Sequence, residues 1–387
     1  MFSLTSDAPT QMHDARVAIF SPRGFHHHVS RSHGYEFEDV ILNELDEGTL
    51  FAPQPERHHA FLSKVKNKLS YRTALAEKLS SGLQTLRCEQ DHALFFYTVA
   101  HLRDLNCLDA LPDWRSRSGT AICWIQELWL GDFAGLGPLL YRLNAFDHVI
   151  CSFAQTAEAL SERLSVPVHY IPWGLDAVHF CPYPNPPRRA IDVLSIGVRH
   201  DTTHAALIDY ADRTGQFYSY ETISGRAGMQ DYRGHRHNYV GLLQRSRYFF
   251  SYVAKVERTV ERGSQTEFGL RYLEGLAAGA VVLGTHIDSD AFRKHIGWTD
   301  AVIDVPYECA DIGSIIDELD AQPSRLEAIR MRNILECLER HDHLYRWEQV
   351  LELAGMDAHS KLAQRRSALR GLIREIKQGQ PKVSAAI

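Results

Sequence analysis

Thr266-Glu-Phe-Gly-Leu-Arg-Tyr-Leu-Glu274-Gly-Leu-Ala-Ala-Gly279-Ala-Val-Val-Leu-Gly284 decides how the second half of the chain folds. Thr266 is a candidate N-cap, and Leu270, Leu273 and Ala277 at helical spacing predict a helix from about Gly269 to Ala278. Gly279 stops it, and the apolar run that follows reads as a buried strand. A helix start leaves amide N–H groups unpaired at the positive end of its dipole, and Gly269 lets a phosphate come close to the backbone. Arg271 adds a bidentate contact, and Glu274, about a turn further on, is placed to accept from vicinal hydroxyls such as a ribose. The same residues also read as an ordinary amphipathic helix with Leu270, Leu273 and Ala277 as its core stripe and Glu274 solvated.

Working outward, short apolar runs recur at Ile191 to Ile196, Tyr248 to Tyr252 and Ala301 to Asp304. In the first half they stand at Arg16 to Phe20, Ala93 to Thr98, Thr120 to Ile125 and His148 to Cys151, with helical patterns between them at Glu36 to Leu45 and Ala100 to Leu111. Strands alternating with helices predict two doubly wound parallel sheets, an α/β protein with both faces of each sheet covered. The segment Pro167 to Pro172, followed by Trp173-Gly174-Leu-Asp176 and the prolines at 182, 184, 186 and 187, reads as the linker between them. Ligands of such sheets sit beyond the carboxyl ends of the strands, which puts the default site in a cleft between the halves.

Composition narrows the function classes. The chain has 387 residues with 44% apolar and 23% charged, which excludes a disordered, collagen-like or coiled-coil protein. Its formal charge of −6 argues against nucleic acid as a partner, so an anionic ligand must be met locally. No run approaches the roughly 18–20 apolar residues of a membrane span, and Met1 to Arg16 is too polar for a signal peptide, which points to the cytoplasm. Seven cysteines without a C-x-x-C pair read as buried free thiols. The run His26-His27-His28 is too crowded to close one metal site.

The 266–284 stretch resembles the donor-binding signature of GT-B glycosyltransferases, especially family 4 (glycosyl transferases group 1): Glu, seven residues, Glu, a small-residue helix end and a strand. Tyr170-Ile-Pro172-Trp-Gly174-Leu-Asp176 with the later Phe180 and Pro182 is similar to that family's interdomain segment. Leu194-Ser-Ile-Gly197-Val-Arg199 is similar to the strand whose Gly-Arg end supplies a donor-phosphate arginine. In register, Glu274 matches the ribose-holding second Glu, Thr266 stands where the first Glu is usual, and Glu267 is displaced by one. His204 stands where the family has a lysine, so Lys255, Arg262 or Arg271 would have to supply that charge. Arg271 also matches the arginine of the spore-maturation-protein-like subgroup.

The resemblance implies two Rossmann-like domains facing across a cleft, with acceptor-binding residues 16–172 and donor-binding residues 173–340. They are preceded by a flexible stretch 1–15 and followed by a helix over 341–360 that crosses back to the first domain, with Tyr345 and Trp347 as its packing anchors. It implies a metal-independent, retaining hexosyltransferase that needs no cofactor and uses a UDP- or GDP-linked sugar as substrate. The residues expected at the donor are Gly24, Gly197, Arg199, His204, Lys255, Arg262, Thr266, Phe268, Gly269, Leu270, Arg271 and Glu274, and the expected catalytic carboxylates are Glu127 and Glu267. Glu127 ends the strand before Trp129, where the family often has His-Asp, and reads either as an acceptor-orienting group or as a surface carboxylate. His101, close after the Phe95-Phe96 strand, is another candidate, and reads more readily as a satisfied core histidine. The acceptor is a glycan, a lipid-linked or a small molecule. A GT-B epimerase or hydrolase and a catalytically silent binding module are the alternatives. The tail 361–387 is basic with Leu362, Leu369 and Ile376 near helical spacing, and reads either as a peripheral membrane contact or as a solvated or domain-packing helix.

Overall fold

The computed structural model describes residues 16–222 and 228–379. The stretch 1–15 and the end of the tail, including Lys382, lie outside the described residues.

Two sheets, every strand parallel to its neighbours, organise the chain. The first has the order β2-β1-β3-β4-β5-β6, with β1 Val17–Phe20, β2 Gly48–Phe51, β3 His92–Val99, β4 Ser118–Ile125, β5 His148–Cys151 and β6 Val168–Tyr170. The second has the order β11-β10-β9-β7-β8, with β7 Ile191–Ser195, β8 Tyr218–Tyr220, β9 Ser246–Ser251, β10 Val281–Gly284 and β11 Val302–Asp304. In both sheets the strand order reverses beside the first strand, between β1 and β3 and between β7 and β9, which opens a crevice at those carboxyl ends.

The strands with continuous apolar runs form because both of their faces are covered. On β1, Val17 and Ile19 join one core cluster while Ala18 and Phe20 join another, as the two-residue repeat of a strand requires. The segment 167–172 is not wholly linker, since Val168–Tyr170 pairs with β5 as the edge strand of the first sheet. The pattern read as a helix over Ala100 to Leu111 is a tighter 3-10 run, Leu102–Ala110.

The last helices return to the first domain. Helix His343–Ala354 buries Trp347 against Phe96 and Phe37, with ring centroids 5.4 and 6.4 Å away, and the indole N–H donates to Asp46 at 3.1 Å. Tyr345 is half-buried and donates to the Leu338 carbonyl. Helix Ser360–Gly379 turns Leu362, Leu369 and Ile376 inward, so the apolar face of the tail packs on the protein. Its Arg365 binds Asp342 at 2.6 Å and Asp176 at 2.7 Å and also pairs with Glu44, while Lys361 donates to the carbonyls of Leu42 and Asp46. Among the described residues, no helix is long and apolar enough to cross a membrane. All seven cysteines are free and buried.

Candidate functional site

At the carboxyl end of β7 the chain turns at Gly197 with φ +88°, a conformation that costs a non-glycine residue steric strain. The Arg271 guanidinium fills the space beside it and donates to the Ile196 carbonyl. Helix Leu270–Ala277 starts at Gly269, which makes no side-chain cap bond, and a β-carbon there would meet nothing within 4 Å. The helix start is therefore uncapped by any side chain and uncrowded at Gly269, and an uncapped helix start favours an anion. Thr266 is not the N-cap: Phe268 is anchored in the core and Glu267 is tied to the first domain, so the chain turns into helix only at Gly269.

Arg199 follows on the same loop, its guanidinium 5.2 Å over the Tyr220 ring. His204 lies behind it, with Nδ1 3.0 Å from the Tyr218 hydroxyl and its ring edge-on to Tyr220 at 4.6 Å. Burial, and then the charge of Arg199, push the His204 pKa down. His204 is therefore neutral at neutral pH, and the positive charge at this strand end comes from Arg199 and Arg271.

Glu274 is neither solvated nor free. It is buried, with Oε1 accepting from Arg236 Nη1 at 2.5 Å and Oε2 from the Tyr239 hydroxyl at 3.0 Å. Arg236 and Tyr239 stand on helix Tyr232–Gln244, and Arg236 also forks onto Glu36 of helix Ser32–Val40 through Nε at 2.9 Å and Nη2 at 3.0 Å. The sequence reading missed Arg236, Tyr239 and Glu36. The signal it could have used is the i, i+3 spacing of Arg236 and Tyr239, which puts both on one helix face.

Glu267 is buried where the two domains meet. Its carboxylate accepts from Gln265 Nε2 at 3.0 Å and from the backbone amides of Ala154 and Gln155, which open helix Ala154–Ser161 of the first domain. Burial pushes its pKa up to about 7, against those hydrogen bonds, which lower it. Gln265, also unread in the sequence, donates to Thr156 at 2.9 Å and accepts from the Leu130 amide at 2.9 Å.

Glu127 leaves the end of β4 half-exposed, accepting from the Trp129 indole at 2.7 Å. Lys255 has φ +54°, and its ammonium stands 3.9 Å from Glu127, 3.2 Å from Glu261 and 4.9 Å over the Trp129 ring. The structure thus joins Lys255 to Glu127 across the domains. Arg262 donates to the Gln265 carbonyl at 3.3 Å. Phe268 is a core residue against Phe292, and Leu270 packs half-buried on the same core. Gly24 is required by packing: a β-carbon would lie 2.4 Å from the Pro53 carbonyl oxygen. His101 is an exposed residue rather than a core one, at the start of the 3-10 run, where its backbone N–H donates to Asp104. Among the described residues, no group of three or more His, Cys, Asp or Glu side chains is arranged to hold a metal ion.

No family model matches the chain, and no curated protein matches it. Solved structures do. An alpha-glucosyltransferase in complex with UDP and a 13-mer DNA containing a HMU base aligns at TM-score 0.50 and 11% identity, over 88% of this chain and 99% of that one. Anabaena Alr3699/HepE in complex with UDP and glucose aligns at 0.47 and 13%, over 87% and 98%. TarM aligns at 0.43 and 12%, and the chain spans about half of its length, 54%. The fold is GT-B: two parallel-sheet α/β domains, with the uncapped helix start at Gly269 on the second.

Proposed function

We propose that the chain is a glycosyltransferase that moves a sugar from a nucleoside-diphosphate sugar to an acceptor hydroxyl. The carrying observation is the open helix start at Gly269 with Arg271 docked against Gly197, at the point where the second sheet reverses its strand order. As the glycosidic bond breaks, the leaving nucleoside diphosphate gains negative charge, and the Arg271 guanidinium, Arg199 and the first-turn amides are fixed in advance to meet it. Those groups supply the charge stabilisation that a metal ion provides elsewhere, so we take the transfer to be metal-independent. The family 4 resemblance supports a UDP- or GDP-linked hexose and retention at the anomeric carbon. Glu127, half-exposed at the end of β4, is the carboxylate placed to orient the acceptor from the first domain. The acceptor belongs to the glycan, lipid-linked or small-molecule class, and we place the reaction in the cytoplasm.

The test is thermal stabilisation by UDP, GDP, ADP and CMP and their sugar conjugates, since a ligand at 100 times its Kd stabilises by about 2.7 kcal/mol. Stabilisation by one nucleoside diphosphate, abolished in Arg271→Ala and followed by acceptor-dependent turnover in EDTA, supports the reading. Turnover of the donor without acceptor would instead mark an epimerase or hydrolase. No stabilisation by any nucleotide would overturn it.

A further inference from the structure

Helix His59–Ser70 buries charge and exposes apolar side chains. On its inner side Lys66 is 0% exposed, with Nζ 2.9 Å from Asp109, and Asn67 and Ser70 accept from the Asn106 side-chain amide at 2.7 and 3.0 Å. On its outer side Phe61 is 69% exposed, and Val65 is exposed one turn later. Phe61, Lys64, Val65 and Lys68 stand at i, i+3, i+4 and i+7, so one helix face alternates apolar and basic side chains. The 3-10 run Ala74–Lys78 repeats the arrangement: Ala76 is buried, whereas Leu75, 67% exposed, shares a side with Lys78 three residues on, and Leu79 is exposed after it. The stretch is held in place, the Glu56 amide donating to the Gly82 carbonyl at 2.9 Å and Glu77 pairing with Arg142 at 3.1 Å.

The charge on this face has one sign. Arg57, Lys64, Lys68, Arg72 and Lys78 are exposed and make no ion pair among the described residues. Of the acids within the stretch, Glu77 is taken by Arg142, which leaves Glu56. We propose that this face, over residues 57–79, seats the protein on an anionic lipid bilayer. Phe61, Val65, Leu75 and Leu79 enter the boundary between headgroups and acyl chains, and the cations around them meet the headgroup phosphates. A second copy of the chain fits less well, since a two-fold contact sets these cations against their own copies. Nucleic acid would meet the cations but leave Val65, Leu75 and Leu79 in water. The tail helix offers charge through Arg370 and Arg374, but its Leu362, Leu369 and Ile376 are already packed in the protein. The His59 ring lies 5.4 Å from that of Phe25, on the loop after β1, so the face borders the carboxyl ends of the first sheet. On the glycosyltransferase reading above, an acceptor held at those ends arrives from the bilayer, which selects the lipid-linked class; the docking itself does not rest on that reading.

The experiment is co-sedimentation of the full chain with vesicles of phosphatidylcholine, alone or mixed with phosphatidylglycerol, with circular dichroism melts as the fold control. The wild type is expected to bind the mixed vesicles, less at high salt, and to bind the neutral ones about tenfold more weakly. Phe61→Ser/Leu75→Ser and Lys64→Gln/Lys68→Gln are each expected to lower binding to the mixed vesicles by about tenfold, with unchanged melts because the replaced side chains are exposed. Arg370→Gln/Arg374→Gln on the tail is expected to leave binding unchanged. All seven native cysteines are buried, so a polarity-sensitive dye on Phe61→Cys reports this face alone, and its emission is expected to shift to the blue on mixed vesicles. A wild type that stays in the supernatant, a loss confined to the tail variant, an unshifted dye, or full binding by Phe61→Ser/Leu75→Ser overturns the proposal. So does a dimer in vesicle-free solution that Phe61→Ser/Leu75→Ser dissociates, since the face would then belong to a second copy. Vesicle binding needs no nucleotide, so its failure leaves the glycosyltransferase reading standing, and a chain that sediments with vesicles yet binds no nucleotide overturns that reading alone.

Discussion

The guanidinium of Arg271 occupies the space that a β-carbon on Gly197 would need, with its nearest nitrogen 2.2 Å from that point. Gly197 also holds φ +88°. Gly197→Ala is therefore expected to strain the turn by about 1–2 kcal/mol and to expel Arg271 from its seat. Melting curves should show a small loss of stability, while stabilisation by nucleoside diphosphate disappears. Undiminished nucleotide stabilisation in Gly197→Ala would separate Arg271 from donor binding.

Glu267 makes the stability of the chain depend on pH in a defined direction. Its folded pKa of about 7 lies above the 4.5 of an ordinary glutamate, so the folded state holds the proton more tightly than the unfolded chain does. The resulting stabilisation is complete below pH 4.5 and is lost as pH rises through 7. Glu267→Gln removes that dependence and is expected to gain on wild type by up to roughly 3 kcal/mol above pH 7 while matching it near pH 4.5. Denaturant titrations at the two pH values decide it, and equal differences at both would refute the assignment.

Arg365 neutralises Asp342 and Asp176 inside the protein. Replacing it with alanine leaves two carboxylates without their cation, and a loss of about 3–5 kcal/mol is expected. If chemical denaturation shows less than 1 kcal/mol, the tail helix does not anchor here. The same variant should fail to gain binding to anionic vesicles unless the tail has a membrane role of its own.

Trp347 is fully buried, and its ring packs edge-on against both Phe37 and Phe96. Trp347→Ala is expected to cost about 3–5 kcal/mol. A Trp347→Phe variant should lose less, because it keeps an aromatic ring against the same core and gives up the bond to Asp46 and the smaller part of the indole volume.

Most strands legible in the sequence are buried on both faces, such as β1, β3 and β10, where an unbroken apolar run has no helical period to compete with it, and the short edge strand β11 is the exception. β2, β6 and β8 escaped because they are short and partly exposed, so composition does not mark them: β8 is Tyr218-Ser-Tyr220 with a single buried residue. At the site, Gly197 could be read because the turn after β7 demands a glycine at φ +88°, whereas Gly269 and Arg271 could be placed only by their position at the start of the helix. Glu274 could be located but not its partners, since Arg236 and Glu36 lie 200 residues apart and meet only through the packing of two domains. Glu267 was singled out for chemistry, and what the fold shows around it is the cap of a helix in the other domain, a relation that no spacing within 266–284 could carry.

The return of helix His343–Ala354 to the first sheet has a consequence for how the protein is made. Trp347 and Asp46 meet over a separation of 301 residues, so on the ribosome the first domain emerges with one flank uncovered and must wait for nearly the whole chain before that flank is sealed. Until then Phe37 and Phe96 stay open to unwanted association, and a fragment ending before Trp347 would carry that sticky flank permanently. The two halves are therefore one unit of expression, although each has its own sheet.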